Sequence, residues 1–134
     1  MGKIYLYYKR HNDSVLGKVL KIKIDDKITA EINKNDIYEL ELADGQHNIK
    51  MYYCGWTEDE LVGYIDENIV ISGDTFFIYK GPATIYGKGK LIKNSYNNAD
   101  DFKMRVKNIN RLYKIIGICL FVIFVLYINQ LVQN

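Results

Sequence analysis

Residues 115–128 read Ile115-Ile116-Gly117-Ile118-Cys119-Leu120-Phe121-Val122-Ile123-Phe124-Val125-Leu126-Tyr127-Ile128, with no strongly polar side chain. No charge appears from there to Asn134. A helix rises about 1.5 Å per residue, so roughly 20 residues cross a hydrocarbon core of about 30 Å. Residues 112–132 reach that length when Lys114 and Asn129-Gln130 lie in the two interfaces. Lys114 can snorkel there, and Tyr113 and Tyr127 suit the boundaries. Eleven Ile, Leu, Val and Phe residues occupy 115–128. Together they favour insertion by roughly 3 to 6 kcal/mol, and no charge in the run opposes them. A core helix of a soluble fold would tolerate an apolar run of this size. Apolarity on every face and flanking cations favour the membrane.

The flanks set an orientation. Lys103, Arg105, Lys107, Arg111 and Lys114 precede the span, and residues 129–134 hold no Lys or Arg. The positive-inside rule predicts a cytosolic domain on the cation-rich side. Residues 1–11 hold an apolar run of five residues, too short for the core of a signal peptide. Leu6 rules out a myristoylation motif.

The rest of the chain makes one small domain. Residues 1–93 hold 13 Lys+Arg and 14 Asp+Glu, a net of −1, and residues 94–134 hold 5 and 2, a net of +3. The positive surplus therefore sits beside the predicted span. It suits anionic headgroups, with Lys103, Arg105, Lys107, Arg111 and Lys114 as lipid contacts, better than a nucleic acid. Cys54 and Cys119 lie in different parts of the chain and predict no disulfide, in keeping with a reducing compartment. Richness in Ile, Lys, Asn and Tyr is the composition of an AT-rich, bacterial genome.

Short strands separated by turn chemistry fill the domain. Strands are predicted over residues 4–9, 18–24, 27–32, 38–42, 47–53, 68–72, 75–80 and, irregularly, 83–92. Leu20, Ile22 and Ile24 alternate with Lys21 and Lys23, and Ile28, Ala30 and Ile32 answer them across Asp25-Asp26. Tyr38, Leu40 and Leu42 lead through Asp44-Gly45 to Ile49, Met51 and Tyr53. This pattern predicts an antiparallel β-sandwich, each sheet with one wet and one buried face. Residues 94–98 are polar. Phe102, Val106 and Ile109 then recur at helical spacing, so 94–111 forms a linker and a basic juxtamembrane helix that continues into the span.

Lys21-Ile22-Lys23-Ile24-Asp25-Asp26-Lys27-Ile28, followed by Tyr38-Glu39-Leu40-Glu41-Leu42-Ala43-Asp44-Gly45-Gln46-His47, resembles the PEGA-type bacterial sandwich domains. It is similar also to related bacterial domains with an I-D-G-K hairpin and a P-G-x-H turn. The resemblance covers about residues 3–80, with Asp26 where the family has Gly. It implies a transthyretin-like or immunoglobulin-like sandwich, often attached to membranes, and it implies no catalytic residues.

Candidate chemistry is sparse. His47 follows a glycine turn, where an imidazole commonly serves as a hydrogen-bonding strut. His11 has no nearby partner in sequence. Cys54 with His47 makes neither a tetrahedral metal site nor a nucleophile with its base and orienting group. Thr57-Glu58-Asp59-Glu60 reads as a capping box or a solvated acidic loop, without the ligand spacing of a calcium site. Gly87-Lys88-Gly89-Lys90 has no Ser or Thr after it and no strand–loop–helix setting for a phosphate. Asn12-Asp13-Ser14 is a glycosylation triplet that stays silent in the cytosol. Gly117 has no small residue four positions away, so the span lacks that dimer motif. Tyrosine, at 12 residues, is abundant. Tyr52, Tyr53 and Trp56 cluster after the second hairpin as a candidate partner surface.

These observations predict a non-enzymatic, tail-anchored protein without cofactor or metal. It displays a β-sandwich at the cytosolic face, with the bilayer and another protein as partners. The alternative turns the domain outward to bind glycan or protein through its aromatics.

Overall fold

The computed structural model describes residues 1–9, 19–54, 60–82 and 87–133. Among them are β1 (Gly2–Lys9), β2 (Val19–Ile24), β3 (Ile28–Asn33), β4 (Ile37–Leu42) and β5 (Gly45–Cys54). They are followed by β6 (Leu61–Ile71), β7 (Thr75–Lys80), β8 (Lys90–Asn94) and α1 (Ala99–Gln133). The strands form two sheets of four, in the orders β4-β1-β7-β8 and β3-β2-β5-β6. The chain divides into a unit of Met1–Ala99 and one of Asp100–Asn134.

Alternation builds the core between the sheets. Ile4, Leu6 and Tyr8 of β1 join Leu20, Ile22 and Ile24 of β2 in one buried cluster. Ile49, Met51 and Tyr53 of β5 and Phe77 and Tyr79 of β7 complete its centre. The first hairpin turns at Asp25 and Asp26, both left-handed, with φ of 52° and 54°. Lys27 N–H donates to the Ile24 carbonyl at 3.1 Å and closes the turn. Two positive φ values in succession match the right-handed twist of the strands they join, and aspartate tolerates them better than most residues.

Three features depart from the expectation. First, β1 and β7 pair in parallel, Tyr5 opposite Phe76 and Tyr7 opposite Ile78, within an otherwise antiparallel set. Second, the middle of the sheet containing β1 is not wet on its outer side. Tyr5, Tyr7 and Phe76 point away from the core yet are only 1–5% exposed. Tyr5 stacks on Phe76 at 5.1 Å, and Tyr96 meets Phe76 edge-on at 5.6 Å. An uninterrupted apolar run such as Ile4-Tyr5-Leu6-Tyr7-Tyr8 marks a strand buried on both faces. Third, β6 begins at Leu61 instead of Asn68, because pairing with β5 carries weak strand formers such as Gly63 and Asp66 into the ladder. Within 83–92 the described strand is confined to β8, which extends to Asn94; residues 83–86 lie outside the described residues.

α1 runs without a break from Ala99 to Gln133, 35 residues, about 52 Å at helical rise. The expected juxtamembrane helix and the expected span are therefore one element. Asp100 and Asp101 sit in its first turn, where carboxylates complement the helix dipole. Its most apolar window has a mean hydropathy of 2.5 and no buried residue, so Ala99–Val132 is a candidate membrane span.

Candidate binding face

The outer side of the β3-β2-β5-β6 sheet is the exposed face on which the strands gather the most chemistry. Alternation sends Lys21 and Lys23 outward from β2, and Asn48, Lys50 and Tyr52 outward from β5. From β6 it sends Tyr64, Asp66 and Asn68. The register sets Lys21 opposite Tyr52, Lys23 opposite Lys50, Lys50 opposite Asp66 and Asn48 opposite Asn68.

A β-bulge shapes the middle of this face. Met51 pairs with Ile65 and Tyr53 pairs with Val62, so Gly63 and Tyr64 together oppose Tyr52. Gly63 takes a φ of +65°. A Cβ there would lie 2.6 Å from the Tyr79 hydroxyl and 2.8 Å from the Tyr53 ring, so only glycine fits. Such an extra residue re-aims the side chain that follows it. Here it brings Tyr64 beside Tyr52, ring centres 6.5 Å apart and planes tilted by 42°.

A chain of hydrogen bonds fixes Tyr64 in place. The Tyr64 hydroxyl donates to Asp66 Oδ2 at 3.1 Å, and Asn48 Nδ2 donates to Asp66 Oδ1 at 2.8 Å. Asn48 N–H donates to Asp25 Oδ1, and Asp25 Oδ2 meets His47 Nδ1 at 2.7 Å. His47 Nε2 reaches the Ala43 carbonyl at 2.8 Å. Lys50 Nζ donates to Asp26 Oδ1 at 2.8 Å.

The electrostatics follow these contacts. The bond to Asp25, and then that to the Ala43 carbonyl, raise the His47 imidazole above its usual value. His47 and the Asn48 N–H lower Asp25. The Asn48 amide lowers Asp66, and Asp26 raises Lys50. Partial burial, with the Asp66 carboxylate beside it, raises Tyr64. A hydrogen bond with Cys54 raises Lys21.

The predicted surface residues separate. Tyr52 is half-buried on the outer face, whereas Tyr53 is 5% exposed and belongs to the core. Neighbours in a strand point to opposite sides of the sheet, so these two cannot share one surface. Tyr53 packs with Tyr8 and Tyr79 at ring distances of 5.9 and 6.0 Å. The Tyr79 hydroxyl donates to the Gly63 carbonyl at 2.7 Å. Burial pushes the Tyr79 phenol up to about 12, against a hydrogen bond from Tyr53. This tyrosine cluster anchors the bulge from beneath.

Trp56, His11, Asn12-Asp13-Ser14 and Thr57-Glu58-Asp59 lie outside the described residues. His47 links the two hairpins, both ring nitrogens occupied, and does not face Cys54. Among the described residues no group of three or more His, Cys, Asp or Glu could hold a metal ion. Lys103, Arg105, Lys107, Arg111 and Lys114 are exposed on α1. Tyr64 and Asp66 went unnoticed in sequence. The signal available was a tyrosine and an aspartate two positions apart after a glycine, legible only once Leu61–Ile71 is read as a strand.

No family model, no curated protein and no solved structure matches the chain.

Proposed function

We propose that this chain is a non-enzymatic, membrane-anchored binding module. Its sandwich is displayed at the cytosolic face, and a protein partner sits on the outer side of the β3-β2-β5-β6 sheet. The observation that carries the reading is the Tyr52–Tyr64 pair, aimed by a bulge and held through Asp66. Fixed aromatic rings give large contact area at little entropic cost, and polar neighbours supply a rim that can be satisfied by hydrogen bonds. The apolar α1 supports anchoring, and Lys103, Arg105, Lys107, Arg111 and Lys114 on one flank support the cytosolic side. The resemblance to PEGA-type domains agrees with a role in attachment without catalysis.

A second reading turns the domain outward. The same ring pair, beside Asp66, Asn48 and Asn68, offers apolar faces and paired donors and acceptors to a sugar. One comparison separates the readings. The full chain and a Tyr52→Ala/Tyr64→Ala variant are purified from detergent-solubilised membranes, and the captured species are identified. The leading reading expects a protein partner that falls at least tenfold with the variant, as loss of two aromatic anchors implies. The melting temperature of the variant should change little. Equal capture by both chains would sink the assignment of this face, and capture of saccharide instead would favour the outward reading.

A further inference from the structure

β6 ends its sheet with one side paired to β5 and no strand on the other among the described residues. Which of its backbone groups are open follows from the strands beside it. The Asp25 N–H donates to the Asn48 carbonyl at 2.9 Å, so Asn48 turns its backbone groups toward β2 and away from β6. Direction alternates along a strand, so Gln46 and Lys50 do the same. Their partners on β6 are Val70, Asn68 and Asp66, which therefore form the non-hydrogen-bonded pairs of this ladder. The N–H and C=O groups of Asp66, Asn68 and Val70 point out of the sheet edge. Among the described residues none of these groups has a partner. Val70 is 59% exposed beside them.

An open row of this kind is a template for another strand, and folds commonly guard it by shortness or lysine. The other edge strands, β3, β4 and β8, are five or six residues long. Lys27 and Lys34 bracket β3, and β8 carries Lys90 and Lys93. β6 is 11 residues long, and no Lys or Arg occurs between Lys50 and Lys80. Its guard is Glu67. Alternation places Glu67 on the core side between buried Ile65 and Ile69, yet it is exposed. Among the described residues its carboxylate has no ion pair and no hydrogen bond. Two copies of β6 paired about Asn68 would set each Glu67 against Ile69 and leave both carboxylates unanswered. A strand that continues the row Ile65-Glu67-Ile69 must instead bring a cation between two apolar residues.

Resting on the reading of this sheet as a partner surface, we propose that the β6 edge takes an extended segment of the partner as a fifth strand. The segment alternates an apolar residue, Lys or Arg, and an apolar residue at every second position, antiparallel to β6 with its cation opposite Glu67. Main-chain hydrogen bonds to Asp66, Asn68 and Val70 give the affinity, and the Glu67 pair gives the selectivity. Tyr64 and Asp66 lie on this same strand, so the edge continues the candidate face.

The test uses the full chain in lipid nanodiscs and two capped seven-residue peptides of alternating threonine and valine. One has lysine and the other glutamate in place of the central valine. Amide hydrogen exchange is read residue by residue. Without peptide, Asp66, Asn68 and Val70 should exchange fast, and Glu67, Ile69 and Ile71 slowly. The lysine peptide should slow the fast three, at about fivefold lower concentration than the glutamate peptide. Glu67→Lys should reverse that preference with little change in melting temperature. Unchanged exchange at the three amides, or an equal response to both peptides, would overturn the proposal. The ring-pair reading would survive that result, because it is scored separately by capture with the Tyr52→Ala/Tyr64→Ala variant. Capture that falls with Glu67→Lys but not with the tyrosine variant would sink the ring-pair reading and keep the edge. Protection of the three amides that grows with protein concentration, without peptide, would assign the edge to a second copy and overturn the proposal.

Discussion

His47 shows how one side chain can hold two hairpins together. It sits in β5, and its ring bridges the Asp25 carboxylate of the first turn and the Ala43 carbonyl of the second. Its raised pKa means that folding favours the protonated ring. That stability is full below the unfolded value of 6.5 and is lost as pH rises through the higher folded value. Asp25 works in the other direction. Its pKa is lowered from 3.8, so its contribution is full above that value and is lost as pH falls through the folded one. Between about pH 4 and 6.5 both contributions are present. The melting temperature should therefore fall between pH 6 and 8 in the native chain. His47→Gln should flatten that slope, and a variant retaining the full slope would show that another group sets it.

At the scale of elements, the bulge between β5 and β6 ties the core to the candidate face. Gly63 admits the Tyr79 and Tyr53 rings below, and Tyr64 emerges above. Gly63→Ala should cost roughly 2 to 6 kcal/mol. A non-glycine left-handed conformation and an overpacked contact each contribute about 1 to 3 kcal/mol. Denaturant unfolding checks it, and a loss below about 1 kcal/mol would mean the strand can shift register without harm. Much of the strand pattern was legible in the residues. Leu20, Ile22 and Ile24 against Lys21 and Lys23 announce a two-faced strand. β6 was not legible, because its Gly63, Asp66 and Glu67 are poor strand formers recruited by a partner. The Asp25–His47 contact was hidden for a different reason: 22 residues separate its members, and only pairing of β2 with β5 brings them together. The doubly buried β1 is legible in its unbroken apolar run, a stronger sign there than alternation.

At the scale of the whole molecule, two independent kinds of information meet. Eight strands among the described residues form a sandwich that offers surfaces, and a 35-residue helix with an apolar window long enough to cross a membrane offers a candidate location. The helix was the more legible because hydropathy needs no partner to be read. The binding face was less so, because it depends on register and on a bulge. The proposed function requires the helix to cross a bilayer with the sandwich on the cytosolic side. Protease digestion of sealed membrane vesicles of defined sidedness tests this most directly. With the cytosolic face outward, the sandwich should be digested and a fragment containing residues 112–132 should stay with the lipid through an alkaline wash. With the cytosolic face inward, the sandwich should survive until detergent is added. Digestion of the sandwich in those inward-facing vesicles, or release of the whole chain by the alkaline wash, would contradict it.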